Sequence, residues 1–479
     1  MNRRTEYSGG AWTPFRAWVV SGVTALPRCT TRLVAMGMAI GTLHCLAAPA
    51  PRPNILFIMA DDLGYADLGS YGQTKIRTPH LDRLARQGTR FTDVYAGAPV
   101  CAPSRCVFMT GQHTGHCLIR GNGPRVGGTI EYFGEGSRRL SLTNDDRTVA
   151  EALREAGYVT GAVGKWGLGE PGTAGTPNRR GFDEWYGYLN QNHAPYYYTD
   201  YLWRNERKES IPENRDGRRG RYSHDLLTDE AVAFLQRNRE RPFFLYLPFT
   251  IPHRRFEVPS LESYAKEDWP EEAKIFAAMV TRLDRDVGRV LSELDRLGLA
   301  PNTVVFFTSD NGAEKKPFEN VFGSSGSFRG HKGTVYEGGL RVPMLVRWPE
   351  KVAAGKVDAS VWWFADVFPT LLALAGASPT REKLDGVNIL PTLRGESQPA
   401  LASRHLYWED PGKRLVQGVR RGNWKAIRHG AGSALELYDL KADVGETRNV
   451  AASQPEVVAG FERYLAGARI PSPHWPDEP

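Results

Sequence analysis

Internal repeats and long low-complexity tracts are missing from this 479-residue chain, which excludes the fibrous and disordered classes. A strong excess of one charge is missing too. The formal charge is +7, but Arg3, Arg4, Arg16, Arg28 and Arg32 against Glu6 supply +4 of it within the first 50 residues. The remaining +3 gives no electrostatic reason to expect a nucleic-acid partner, and the basic run at 215–221 reads as a solvated loop. The apolar stretch 33–48 is interrupted by His44 and falls short of a membrane-spanning helix. Cysteine is scarce, five in all. Cys29 and Cys45 lie in the amino-terminal segment, which leaves Cys101, Cys106 and Cys117, an odd number in which one thiol asks for a fate of its own.

What is present begins with an address. Arg28 and Arg32 precede residues 33–48, and the small residues Ala47, Ala48 and Ala50 follow. Charged, apolar, then small is the order of a secretory signal. Residues 1–50 are expected to be an export leader, with the periplasm or the outside of the cell as destination.

Residues 54–60 (NILFIMA) form a continuous apolar run of the kind found in a strand buried on both faces. Thr78 and Pro79 make a capped helix start, Leu81, Leu84 and Ala85 an apolar stripe, and Gly88 a stop. Further along, helices are predicted at 149–157, 223–237, 271–297 and 366–375, and strands at 158–163, 243–249, 303–308 and 342–348. This alternation predicts an α/β fold with a largely parallel sheet covered on both sides. After about residue 385 the texture changes. Short runs at 405–408, 416–420, 425–427 and 435–440 predict a small antiparallel sheet, with a last helix at 457–468. The expected organisation is a main domain at 51–380 and a smaller C-terminal domain at 381–479.

Open α/β sheets bind ligands beyond the carboxyl ends of their strands, and hard oxygen ligands stand at two such ends. Asp61 and Asp62 follow the first strand; Asp310 and Asn311 follow the strand at 303–308. Carboxylates with an amide oxygen suit Ca²⁺, or Mg²⁺, rather than a thiolate-seeking metal.

CAPSR (Cys101, Ala102, Pro103, Ser104, Arg105), with Thr110 and Gly111 behind it, resembles the stretch that sulfatase-maturing enzymes read when they oxidise cysteine to formylglycine. It is similar to the signature of type I sulfatases, of the alkaline-phosphatase-like superfamily. PNILFIMADDLGYADLG and TSDNGAE look like that family's two metal segments. GKWGLG resembles the loop carrying a sulfate-binding lysine, here Lys165; the stretch around His253 resembles the Pro-His loop; and FRGHKGTVYEGGLRVP resembles the segment supplying a second lysine, Lys332. ELYDLKADVGETRNVA is similar to the family's C-terminal domain.

The resemblance implies a sandwich with a large mixed, mostly parallel sheet and a small C-terminal sheet. It implies sulfate-ester hydrolysis, a metal held around Asp61, Asp62, Cys101, Asp310 and Asn311, and a formylglycine-generating or anaerobic maturation enzyme as partner. Formylglycine at position 101 would hydrate to a diol, one hydroxyl attacking sulfur and the second later expelling sulfate. A sulfate ester shields its sulfur with anionic oxygens, so fixed positive charge must come first. Lys165 and Lys332 would supply it, Arg105 would hold the diol, His253 would protonate the departing alcohol, and Asp310 would act as base. Pro103 would open a helix whose N-terminus faces the anion. Conversion of Cys101 would leave Cys106 and Cys117 either as a pair or as two buried thiols.

One position departs from the pattern. Many members carry histidine two residues after the first lysine, where Gly167 stands here. His193 is the first candidate to replace it, ahead of His331 and His113. Two alternatives stand beside the sulfatase reading: a phosphodiesterase or phosphonate monoester hydrolase of the same superfamily, whose additional ligands find no match in this chain, and a catalytically dead sugar-binding protein. The aromatic residues Tyr186, Tyr188, Tyr196, Tyr197, Tyr198, Tyr201 and Trp203 would line a sugar subsite or serve as core packing. The expected substrate is a sulfated polysaccharide fragment, with an aryl sulfate as surrogate.

Overall fold

The strand pattern of the first apolar run decides the architecture. In a computed structural model describing residues 52–476 except 135, 317, 380–382 and 413, strand β1 (Asn54–Ala60) is buried along its whole length. Successive side chains of a strand point to opposite faces, and β1 uses both. Ile55, Phe57 and Met59 enter one apolar core, and Leu56, Ile58 and Ala60 enter another. A strand buried on both sides reads as an unbroken apolar run, which is why no polar alternation shows in NILFIMA. The expected export leader lies outside the described residues.

Among the described residues the main sheet has ten strands. In chain order they are β1, β2 (Thr89–Phe91), β3 (Val159–Lys165), β4 (Glu184–Tyr188), β5 (Tyr201–Arg204), β6 (Arg207–Ser210), β7 (Phe243–Pro248), β8 (Thr303–Ser309), β9 (Met344–Arg347) and β10 (Lys356–Asp358). They lie in the order β10-β2-β9-β8-β1-β7-β3-β4-β5-β6. The central run from β8 to β4 is parallel, whereas β9 pairs antiparallel with β8, and β5 pairs antiparallel with β4. The sheet is thus mixed and mostly parallel at its centre.

Helices α1 (Pro79–Gln87), α4 (Ser223–Arg237) and α5 (Glu271–Arg296) contribute to the core on one face; α2 (Cys101–Thr110), α3 (Val149–Glu155) and α6 (Val367–Leu374) contribute to that on the other. The expected Thr78 cap of α1 is not made. Instead the Asp284 carboxylate on α5 accepts the backbone N–H groups of His80 and Leu81, so a neighbouring helix satisfies the orphan donors.

Strands β11 (His405–Asp410), β12 (Val416–Arg421), β13 (Trp424–His429) and β14 (Leu435–Asp439) form an antiparallel meander. One of its faces packs with Phe461 and Leu465 of α7 (Pro455–Leu465); the other sends Leu406, Trp408 and Ile427 into the larger core. A buried ion network ties this meander to the segment between β8 and β9. Lys425 Nζ lies 2.8 Å from Glu337 Oε1 and 2.9 Å from Glu446 Oε1, and all three side chains are fully buried. Burial alone would raise the Glu337 pKa, but the charges of Lys425, Arg341 and Arg420 outweigh it and hold the carboxyl well below its ordinary range. Removing one partner from such a network strands a buried charge. Lys425→Met is expected to destabilise the protein by about 3–5 kcal/mol in urea unfolding; a loss under about 1 kcal/mol would show the network to be dispensable.

Candidate active site

Parallel pairing places the two acidic pairs side by side. Ala60 of β1 is in register with Ser309 of β8, so Asp61 and Asp62 emerge beside Asp310 and Asn311. All four are buried. Asp62 turns the chain with a positive φ of 64° and donates its N–H to Asp310 Oδ1 at 3.1 Å.

Three cations from three other segments close on these carboxylates. Lys165, the last residue of β3, donates to Asp61 Oδ2 at 2.7 Å, and Lys332 donates to Asp62 Oδ2 at 2.6 Å. Arg105 binds Asp310 Oδ2 through Nε at 3.1 Å and Nη2 at 2.8 Å, while its Nη1 donates to the Lys165 carbonyl at 2.7 Å. Arg105 therefore braces Asp310 and the end of β3. Burial would raise the pKa of Asp61, but Lys165, His253 and Arg105 together hold it well below the carboxylate range; Lys332 and His253 do the same for Asp62. Asp310 goes the other way, pushed up to about 7 by burial and the charge of Asp61 against the opposing pull of Arg105.

Cys101 is the first residue of α2, not a residue ahead of it, and Pro103 is the third. Proline costs nothing there because the first-turn N–H groups have no helical partner. The Ala102 N–H is taken by Asn122 Oδ1 at 3.1 Å. With that donor engaged and none on Pro103, the end of α2 offers its dipole rather than a ring of free donors. Gly111 closes the helix in the left-handed conformation, φ 67°. Cys101 Sγ lies 4.0 Å from Asp62 Oδ1, and burial pushes its thiol up to about 12.

His253 Nε2 stands 3.2 Å from Lys332 Nζ and 3.5 Å from Asp62 Oδ2, while its Nδ1 contacts the Arg254 carbonyl. A carbonyl only accepts, so Nδ1 carries the proton and Nε2 faces the site. Ligand atoms of Asp61, Asp62, Cys101 and His253 all lie within 4.8 Å of one another. Asp61 Oδ1 and Asn311 Oδ1 are buried without a hydrogen-bond partner. Buried oxygens left unpaired are costly, and two of them beside carboxylates fit a hard cation. Asp61, Asp62 and, when ionised, Asp310 offset the charges of Arg105, Lys165 and Lys332, so a dication would leave the site positive, as an anionic substrate requires.

The expected replacements for the missing histidine fall elsewhere. His193 Nε2 bonds Thr199 Oγ1 at 2.6 Å, and its ring packs against Phe133, Tyr188 and Tyr201 at 4.6, 4.8 and 4.4 Å; burial lowers its pKa to about 3. It therefore props the wall of the cleft from behind. His113 stacks on His116 at 4.0 Å beside Asp385, and His331 Nδ1 faces the Lys332 carbonyl at 2.8 Å. Gly167 itself has φ +78°, and a Cβ there would meet Gln191 Cγ at 2.8 Å. Gln191 in turn donates to Asn122 Oδ1 at 3.2 Å. Asn122 and Gln191 were not foreseen, since a lone amide in a loop carries no spacing signal.

The cleft over Cys101 encloses about 640 Å³, and its lining includes Lys165, His253, Asn122, Gln191, Phe133 and Tyr196. Of the aromatic segment only Tyr196 reaches it; Tyr186, Tyr188, Tyr197 and Trp203 are core, and the Tyr197 hydroxyl supports the His253 loop by donating to the Thr250 carbonyl at 3.1 Å. Cys106 and Cys117 are buried free thiols, and Cys117 Sγ donates to the Ile119 carbonyl at 3.2 Å.

Comparison with known proteins agrees with this arrangement. The sulfatase family profile matches residues 53–377, and that of the N-sulphoglucosamine sulphohydrolase C-terminal region matches 325–466. Steryl-sulfatase of Mus musculus is 34% identical over 465 residues, covering 80% of this chain and 71% of its own. Arylsulfatase A of Homo sapiens is 34% identical over 487 residues, covering 91% and 90%. Among solved structures, Ps i-CgsB in complex with k-i-k-neocarrahexaose superposes with a TM-score of 0.75 at 30% identity, over 89% of this chain and 95% of that one. With the metal-type aspartates, the two lysines and Cys101 gathered in one cleft of this fold, the chain belongs to the sulfatase family and is a sulfuric ester hydrolase.

Proposed function

We propose that the protein removes sulfate from a sulfated carbohydrate, with residue 101 oxidised to formylglycine by a maturation enzyme and with calcium as the resident metal. The observation that carries this is the meeting of Asp61, Asp62, Lys165 and Lys332 around position 101. Formylglycine would supply, as its hydrate, an oxygen nucleophile that a buried neutral thiol does not. Asp61, Asp62, Asp310 and Asn311 would hold the calcium, whose charge would offset that of the sulfate oxygens. The orphaned oxygens of Asp61 and Asn311 support that assignment.

The chain's own residues account for the rest. Lys165 and Lys332 stay protonated because the aspartates outweigh the cost of their burial, so they present fixed positive charge to the ester oxygens. Arg105 holds Asp310 and the β3 end in place instead of touching the substrate. His253 Nε2 faces the cleft while Nδ1–H is held by the Arg254 carbonyl; with a second proton taken from water on Nε2, the imidazolium would hand that proton to the departing alcohol and return to the neutral ring. A carbohydrate is favoured because the cleft of about 640 Å³ has room beyond a single sulfate group, and because the similar Ps i-CgsB is a complex with an oligosaccharide. The signal-like residues 1–50 support action in the periplasm or outside the cell.

Protein co-expressed with a maturation enzyme should yield a tryptic peptide spanning residue 101 that has lost its thiol, no longer reacts with iodoacetamide, and appears in proportion to sulfatase activity. Full activity with an unmodified thiol would remove the proposed nucleophile. Chelation should abolish turnover and lower the melting temperature, calcium should restore both, and Asp61→Ala should erase the calcium-dependent thermal shift. His253→Ala should reduce kcat on alkyl sulfates by about 100- to 10,000-fold and much less on 4-nitrophenyl sulfate, whose leaving group needs no proton; equal losses on both would refute the acid role.

A further inference from the structure

Beyond the reacting centre, the outer cleft is lined by Arg139, Arg254 and Arg255, and no carboxylate among the described residues lines it. The three arginines differ in what already binds them. Arg139 pairs with Glu131, and Arg254 Nη1 lies 3.4 Å from Glu314 Oε1. Arg255 pairs with no carboxylate among the described residues. Its guanidinium lies over the Tyr196 ring, 3.8 Å from the centroid, and Nη2 donates to the Tyr196 hydroxyl at 2.7 Å. Tyr196 is itself set edge-on against Phe133 at 5.0 Å, and Phe133 stacks on the buried His193. A guanidinium stacked on a supported aromatic ring loses little further freedom on binding, and its remaining donors fit a carboxylate or sulfate in a planar fork.

We infer that Arg255 is a specificity-determining residue that reads a second anionic group on the substrate, a sulfate ester or a uronate carboxylate, besides the sulfate that is cleaved. The preferred substrate is then a polyanionic oligosaccharide, not a singly sulfated neutral sugar. This rests on the sulfated-carbohydrate reading above and narrows it. An anion reaching Arg255 meets a full positive charge without first displacing an internal carboxylate, which neither Arg139 nor Arg254 offers. Tyr196 supplies a flat face beside it for the sugar ring.

The test compares wild type, Arg255→Ala and Arg255→Lys on three probes: 4-nitrophenyl sulfate, a disulfated disaccharide, and a monosulfated disaccharide carrying a uronic acid. Wild type should prefer one or both doubly anionic sugars. Arg255→Ala should raise KM for the preferred sugar by about 10- to 100-fold with kcat held, leave 4-nitrophenyl sulfate turnover unchanged, and flatten the salt dependence of KM; Arg255→Lys should recover part of the loss. The affected sugar tells sulfate from carboxylate. An equal loss on all three probes, or no loss on any, overturns the inference. Binding of the same sugars to Cys101→Ala protein, with and without Arg255→Ala, separates the two levels. If processed wild type cleaves no sulfate ester, the hydrolytic reading fails, and the Arg255 inference is still decided by whether the substitution weakens binding of the doubly anionic sugar alone.

Discussion

Three carboxylates and three cations drawn from separate segments compensate one another at the carboxyl ends of neighbouring parallel strands. Everything else at the site follows from that compensation. A buried ion is tolerated only when paired and hydrogen-bonded, so Asp61 requires Lys165, Asp62 requires Lys332, and Asp310 requires Arg105. Each cation is delivered by a different piece of chain, the end of β3, the loop before residue 337, and the first turns of α2. The sheet register is thus also the register of the chemistry, because a one-residue slip of β8 against β1 would carry Asp310 out of reach of both Asp62 and Arg105.

The small C-terminal sheet takes part in this arrangement. Lys425 on β13 holds Glu337, which lies five residues beyond Lys332 in the same loop segment. Trp408 on β11 donates to the Ala96 carbonyl at 2.9 Å, just upstream of α2. Two of the segments that build the cleft are therefore anchored from the far sheet. This gives a physical reason for a second sheet that contributes none of the named site residues itself.

Much of this was legible in the sequence, and the failures share a cause. Apolar runs announced β1, β7 and β8 because strands buried on both faces admit little else. Acidic pairs at their ends announced the metal-type cluster, since two such pairs make sense only together. What spacing could not convey was the direction of side chains in loops. His193 looked like a replacement for an absent histidine but packs among aromatic rings, Arg105 was expected at the diol of residue 101 and its guanidinium bonds Asp310, and the cap of α1 comes from α5. Gly167 shows the limit most clearly. Its left-handed backbone and the 2.8 Å approach of Gln191 Cγ to a would-be Cβ disfavour a side chain there, and Gln191 bonds Asn122 beside it.

Every residue of α2 is buried, and Cys101 itself is only 1% exposed. A backbone packed that deeply is out of reach of a second protein's active site once the helix has docked between the sheet and α6. On the proposed reading, oxidation of Cys101 would therefore have to precede that docking, and a molecule that folded first would keep its thiol. The yield of processed enzyme would then be set by the order of two events during biogenesis rather than by the stability of the finished fold.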